Sequence, residues 1–297
     1  MLIGIIANIT KENVISVVSS FIKELKRNSL EYLLTKSLVE EKDKIEINED
    51  FLSDDKEIYE KSDLIISIGG DGTMLTTAYH AFSYDKPVLG LNIGKLGFLA
   101  EVDISQMSRI IKDIKDGNYQ VQERMVLTAD CDTYLEEKLI AINDIVIDKD
   151  GWPKMIEITA RVDGEYVSTF SADGVIIATP IGSTGYSLST GGPVVSPSVG
   201  AITLSPISPH SLTMRPLVLS SEQEIVIKAD SPYKEIQISC DGQRVYHFPP
   251  PFEIKIRKSK KSVKLIHTSV TTYFETLRNK LLWGIDVRSN NTDNKAK

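Results

Sequence analysis

The sequence predicts an α/β N-terminal domain with a parallel sheet, a β-rich, sandwich-like C-terminal domain, and a C-terminal arm that returns to the first domain. Three observations predict this. Up to Gly117, short apolar, β-branched runs alternate with stretches of helical period. From Tyr119 onward the pattern becomes short strands separated by turn residues. Near the end, Tyr273, Phe274, Leu277, Leu281 and Leu282 suit a final helix or extended arm that packs back on the start. The expected domains are 1–117, 118–268 and an arm over 269–297, whose polar residues after Arg288 read as disordered.

The 297 residues, 41% hydrophobic and 25% charged, leave room for two ordinary globular cores. A net charge of −7, from 34 basic against 41 acidic residues, argues against nucleic-acid or membrane-surface partners bound through a basic face, but leaves anionic small molecules open. Cys131 and Cys240 lie in apolar, strand-like runs with no Cys-x-x-Cys pair, which points to a reducing, cytoplasmic setting. Met1 to Ile6 lacks the basic leader of a signal peptide and is too short to span a bilayer.

Leu2 to Ala7 reads as the first strand. Val14, Val17, Val18, Phe21, Ile22 and Leu25 then recur at helical spacing. Leu30 to Leu34 is a second strand, and the acid- and lysine-rich stretch from Glu40 to Asp55 a solvated loop or irregular edge. Leu64 to Ile68 and Val88 to Ile93 are buried parallel strands that both end in glycines. Such sheets bind ligands at the carboxyl ends of their strands, so the two glycine loops are expected to share a crevice. Met107, Ile110, Ile111 and Ile114 face one side of a helix stopped by Gly117. Beyond it, strands are expected at Val121 to Ala129, Leu139 to Ile147, Ile156 to Val162 and Val175 to Ala178. Others follow at Glu224 to Ala229, Ile236 to Ser239, Phe252 to Ile256 and Val263 to Ile266. Asp163-Gly164 and Asp241-Gly242 are hairpin signals. The four histidines lack metal-ligand spacing, and Lys258 to Lys261 reads as a solvated turn.

The chemistry is expected where the strand at Leu64 runs into Gly69-Gly70-Asp71-Gly72-Thr73. Gly69, Gly70 and Gly72 permit positive φ and leave backbone N–H groups uncovered for an anion, and Thr73 opens a helical pattern whose N-terminus favours negative charge. Asp71 is either a helix cap or a catalytic carboxylate. A cap needs no glycine on both sides, whereas a carboxylate that must reach a hydroxyl beside phosphates does.

Two later features stand out. The stretch from Asp173 to Pro193 is crowded with glycines and hydroxyls, and Tyr186 offers a flat face for a base. A surface loop is the plain alternative, but buried strands on either side favour a ligand loop. Asn143-Asp144 places two polar residues inside an apolar run, where either a bulge or a ligand must satisfy them.

Together these residues resemble the NAD kinase family. The resemblance rests on Gly69 to Thr73, Leu96-Gly97-Phe98-Leu99, Asn143-Asp144 and Asp173 through Ser189. It extends to Pro209-His210-Ser211-Leu212 with Arg215-Pro216-Leu217, to Asp241-Gly242-Gln243, and to the tail from Phe274 to Asp286. It implies transfer of a phosphoryl group from ATP to the 2′-hydroxyl of NAD's adenosine ribose, in a site between the two domains. Asp71 would be the base. Gly69, Gly70, Gly72 and Thr73 would hold the ATP phosphates with a divalent cation, Mg²⁺, that has no dedicated protein cage. Asp71, Gly72, Asn143, Asp144 and Asp173 would contact NAD, as would Thr184, Gly185, Tyr186, Ser187, Leu188 and Ser189, with Lys154 and Gln243 at positions that often join them. The resemblance and the exposed β edges also imply a homo-oligomer, a dimer or tetramer. Asp144 stands where the family usually has Glu, Ile181 where it has Thr or Ser, and Gly185 where Ala is common. A lipid kinase of the diacylglycerol type, which shares the glycine loop, and a non-catalytic NAD-sensing module are the alternatives.

Overall fold

The computed structural model describes residues 1–11, 13–38, 51–94, 97–100, 102–131, 138–151, 153–268 and 272–283. The expected loop around Ile45 and Ile47, Lys95-Leu96 of the second glycine loop, and the polar tail therefore lie outside the described residues.

The chain divides into two compact units, one of residues 1–77, 86–122 and 265–297, the other of residues 78–85 and 123–264. In chain order the first part runs β1 (Leu2–Ala7), α1 (Val14–Arg27), β2 (Glu31–Thr35), β3 (Leu52–Ser53), α2 (Asp55–Lys61) and β4 (Leu64–Gly69). It continues with α3 (Asp71–Ser83), β5 (Val88–Asn92), β6 (Val102–Asp103), α4 (Met107–Asp116) and β7 (Gln120–Arg124). β1, β2, β3, β4 and β5 pair in parallel in the order β3-β2-β1-β4-β5. The chain leaves β1 toward β2 on one side and returns to β4 on the other. The carboxyl ends of β1 and β4 are thus a topological switch point, where sheets of this kind leave a crevice.

The six apolar residues of α1 expected to share a face are all buried, as are the four of α4. Gly117 closes α4 at φ 71°, the left-handed conformation that glycine adopts without steric cost. The sequence reading missed α2, because Asp55–Lys61 buries only Ile58 and Tyr59 and shows no full helical period.

The second part holds β8 (Leu127–Asp130), β9 (Leu139–Ala141), β10 (Asp144–Asp148), β11 (Ile156–Val162), β12 (Glu165–Ala172) and β13 (Gly174–Ala178). A short helix α5 (Tyr186–Ser189) precedes β14 (Ala201–Ile207), β15 (Leu217–Ser220), β16 (Ile225–Asp230), β17 (Ile236–Cys240), β18 (Arg244–Phe248) and β19 (Phe252–Lys258). These strands form two six-stranded sheets, β15-β14-β13-β10-β17-β18 and β12-β11-β16-β19-β8-β9, antiparallel in their recorded pairings. Ile145, Ile147, Ile158, Ile227, Ile238 and Ile254 fill the core they share. Alternation does the work: Ile145 and Ile147 of β10 face that core, while Asp144, Val146 and Asp148 face the other way. Asp163-Gly164 turns β11 into β12 with φ 51° and 82°, and Asp241-Gly242 follows β17 with φ 56° and 64°, as the hairpin signals required.

Three strand expectations need correction. The run Val121 to Ala129 is two strands in different sheets, β7 and β8. Leu139 to Ile147 is broken at Ile142-Asn143, for a reason given below. The run Val263 to Ile266, expected among the second domain's strands, is β20 (Val263–His267), which pairs in parallel with β5 in the first sheet. α6 (Tyr273–Leu281) follows, capped by the Thr272 hydroxyl, which accepts from the Glu275 N–H.

Gly4 of β1 shows how tightly α2 packs. A methyl there would come within 2.5 Å of Ile58 Cγ2 and 2.7 Å of both Ile65 Cδ1 and Ser62 Oγ. Gly4→Ala is predicted to destabilise the protein by about 1–3 kcal/mol, read as a lower urea midpoint; an unchanged midpoint would show that α2 moves away freely.

Candidate active site

In the first unit, β4 runs through Gly69 directly into α3, whose first residue is Asp71. The helix thus starts two residues before the expected Thr73. The loop from Gly97 to Ala100 closes over the Asp71 carboxylate. Phe98 N–H donates to Oδ2 at 2.9 Å, and Leu99 and Ala100 N–H both donate to Oδ1 at 3.0 Å. An ionised carboxylate offers about four lone-pair sites, so three donors leave one acceptor position, on Oδ2. The two glycine loops therefore do meet, as the strand ends implied.

The glycines act differently from the expectation. Gly69, Gly70 and Gly72 are not among the residues at positive φ, so that reading is corrected. Close approach is what Gly69 and Gly97 provide, whereas a Cβ on Gly70 would meet nothing within 4 Å. A Cβ on Gly69 would lie 2.4 Å from Thr73 Oγ1, and one on Gly97 only 1.9 Å from Asp71 Oδ1. Sequence reasoning gave Gly97 no role of its own. It also missed Asn8, the first residue after β1, whose Nδ2 donates to Thr73 Oγ1 at 3.2 Å across the switch point. A polar residue directly after the first strand was the available signal.

Asn143, Asp144, Tyr186 and Asp241 of the second unit line a cavity of about 410 Å³ over the outer face of β10, β17 and β18. The Asp241 carboxylate breaks the strand here. Its Oδ1 accepts from the N–H groups of Ile142 at 2.9 Å, Asn143 at 2.6 Å and Asp144 at 3.3 Å, and Ile142 and Asn143 leave the strand. The Asn143 Oδ1 is buried without a hydrogen-bond partner, an acceptor that suits a ligand donor. Asp144 is 5% exposed. Burial, and then the charge on Asp241, push its carboxyl up to about 7. Tyr186 is 48% exposed, and burial followed by the charges of Asp148, Asp173 and Asp144 raises its phenol pKa.

The other expected residues of the second unit do not line the cavity. Asp173, just before β13, pairs with Lys149 at 2.6 Å. The 3₁₀ turn Gly182–Thr184 rests on Asn143, where a Cβ on Gly182 would meet the Asn143 carbonyl oxygen at 2.1 Å. Thr184 Oγ1 donates to Ile181 O, and Gly185 links the turn to α5. Within α5, Ser187 is buried with its hydroxyl 3.0 Å from Ser205 Oγ, Leu188 is half-buried and Ser189 is exposed. Lys154 is exposed, its N–H donating to Tyr233 Oη, and the Gln243 N–H donates to Cys240 O in the hairpin.

Comparison with known proteins adds to the geometry. Residues 3–119 match the ATP-NAD kinase N-terminal domain and residues 142–268 the ATP-NAD kinase C-terminal domain. The chain is 38% identical over 285 residues to the NAD kinase of Chlorobium phaeobacteroides (strain BS1), covering 96% of this chain and 98% of that one. It superposes on yeast NADH kinase complexed with NADH with a TM-score of 0.84 at 25% identity, covering 96% of this chain and 88% of that one. An NAD kinase from Archaeoglobus fulgidus in complex with ATP gives a TM-score of 0.72 at 27% identity, covering 94% and 99%.

The Asp144 carboxyl carries a testable pH signature. Its folded value lies above the ordinary Asp value of 3.8, so folding is hindered once the group ionises: stability is full below about 3.8 and is lost as pH rises through about 7. Asp144→Asn is therefore predicted to gain on the wild type by up to about 4 kcal/mol between pH 4 and pH 8 in urea melts. A difference that stays flat across that range would contradict the assignment.

Proposed function

The chain belongs to the NAD kinase family, and we propose that Asp71 and the Asn143–Asp144 cavity serve that family's reaction. The activity is transfer of the γ-phosphoryl group of ATP to the 2′-hydroxyl of the adenosine ribose of NAD, giving NADP and ADP. A lipid-kinase reading and a non-catalytic sensing reading find no support in matches that run through both halves of the chain.

The observation that carries the residue roles is the spare acceptor position on Asp71 Oδ2. Three amides fix the carboxylate, and the fourth lone pair takes the ribose proton. The 2′-oxygen then forms the new P–O bond as the bond from the γ-phosphorus to the bridging oxygen breaks and ADP leaves. Phosphoryl transfer asks for position and charge neutralisation more than for strong bases, which suits a carboxylate held in this way. Gly69, Gly70, Gly72 and Thr73 at the start of α3 receive the phosphates at the positive end of the helix dipole.

The family requires a divalent cation. Mg²⁺, which keeps several waters and is held largely by substrate phosphates, suits a site with no dedicated protein cage: among the described residues no cluster of three or more His, Cys, Asp or Glu could hold a metal, and the Asn8 amide oxygen already accepts from the Thr10 N–H and hydroxyl. Bound there, it would neutralise charge building up on the phosphates. NAD is assigned to Asp71, Gly72, Asn143, Asp144, Asp173 and the segment from Thr184 through Gly185, Tyr186, Ser187 and Leu188 to Ser189, with Lys154 and Gln243 at its margins. Support comes from the orphaned Asn143 Oδ1 and the half-exposed Tyr186 ring.

No described helix is long and apolar enough to cross a membrane, and both cysteines are free and buried, which supports placing the activity in the cytoplasm. The edge strands β12 and β15 carry exposed Tyr166, Val167, Leu217 and Val218, which supports a homo-oligomer, a dimer or tetramer. Light scattering is expected to give a mass of at least two chains; a monomer would refute this.

Purified protein incubated with ATP, Mg²⁺ and NAD is expected to form NADP, and its absence would overturn the reading. Asp71→Asn should still bind NAD while kcat falls about 10²–10⁴-fold. Equal turnover in variant and wild type would remove Asp71 from the base role.

A further inference from the structure

We propose that Arg244 is a positioning residue for the phosphoryl acceptor: it holds Asp241, and through it the backbone of Ile142 to Asp144, so that Asn143 and Asp144 meet the dinucleotide in one fixed arrangement. The inference rests on the reading of this cavity as the NAD site.

Arg244 does not line the cavity itself, so it acts through other groups. Its Nη2 donates to Asp241 Oδ2 at 2.7 Å and to the Ile140 carbonyl at 2.9 Å. The guanidinium carbon lies 3.7 Å from the centroid of the Tyr79 ring. A carboxylate, a carbonyl and an aromatic face together fix both the place and the plane of the guanidinium, a combination that a flexible ammonium cannot reproduce.

Asp241 then passes this placement on. Its side chain is 0% exposed, and it stands at the left-handed φ of 56°. Besides its three bonds to the amides of Ile142, Asn143 and Asp144, its own N–H donates to Asp144 O at 2.9 Å. Asp241 therefore binds all three amides from Ile142 to Asp144, while Thr179 holds the Ile142 and Asn143 carbonyls through its hydroxyl at 2.7 Å and its N–H at 2.8 Å; Arg244 is the cation that offsets the buried charge of Asp241. Without Arg244, two carboxyls, Asp144 and Asp241, would share a buried space with no countercharge, and leaving a buried ion unpaired is strongly unfavourable. Relief would come from turning Asp241 outward or from drawing the backbone of Ile142 to Asp144 away from it. Either change loosens the amides and moves Asn143 and Asp144, while the Asp71 loop keeps its own bonds to Phe98, Leu99 and Ala100.

The expected effect is thus confined to one substrate. Arg244→Met, which keeps the aliphatic stem but removes charge and donors, is predicted to raise KM for NAD about tenfold, with KM for ATP and kcat at saturating NAD changed less than about twofold. Calorimetric binding of NAD without ATP should weaken by the same factor. Arg244→Lys, which restores the charge without the fork, is expected to recover part of the loss, leaving KM for NAD about threefold raised. Should Arg244→Met fail to fold, Arg244→Lys alone decides. An unchanged KM for NAD in a folded variant, or a parallel loss in both KM values and kcat that follows a lower melting temperature, would overturn the inference. Failure of the wild type to make NADP would instead overturn the kinase reading beneath it.

Discussion

Each candidate half-site depends on one carboxylate that gathers three consecutive backbone N–H groups. Asp71 takes those of Phe98, Leu99 and Ala100; Asp241 takes those of Ile142, Asn143 and Asp144. In both cases a loop or broken strand, whose amides would otherwise lack partners, is fixed by a single side chain. The two anchors differ in what they keep in reserve. Asp241 is enclosed, and its second oxygen is engaged by Arg244. Asp71 retains an acceptor site on Oδ2, so the same device is fully closed in the second unit and left open at one position in the first.

This constraint explains the glycines better than backbone freedom does. A carboxylate can sit against main chain only where no Cβ intrudes, and Gly97 is that place for Asp71, as Gly182 is the place where the 3₁₀ turn settles on Asn143. It also explains the buried polar pair. Asn143 and Asp144 interrupt an apolar run because their amides are bound from below by Asp241, which leaves their side chains to line the cavity. The cost of that arrangement is visible in the Asp144 carboxyl, raised to about 7.

Much of the fold is legible in the sequence where a periodic pattern meets a clean stop. Val14 to Leu25 and Met107 to Ile114 show one helical face each, Gly117 ends the second, and Asp163-Gly164 turns a hairpin. Legibility fails where burial follows no period. β14 is buried at every position and carries Pro206, and α2 hides only two residues among charges. The site divides in the same way. Asp71 stands out because glycines flank it, and Asn143-Asp144 because polarity interrupts an apolar run. Their partners do not. Phe98 to Ala100 lie 27 to 29 residues from Asp71, and Asp241 lies 97 to 99 residues from the amides it binds. In sequence Asp241 is only a turn residue, and Arg244 only the start of a strand.

In the proposed reaction Asp71 Oδ2 keeps one acceptor position for the hydroxyl that is phosphorylated. A crystal structure of the protein with NAD and a non-hydrolysable ATP analogue tests it most directly. The adenosine 2′-oxygen is expected about 2.6–3.2 Å from Oδ2, with the three amide bonds to Asp71 intact. A phosphate or the 3′-oxygen in that position, or a fourth protein donor closing Oδ2, would contradict it.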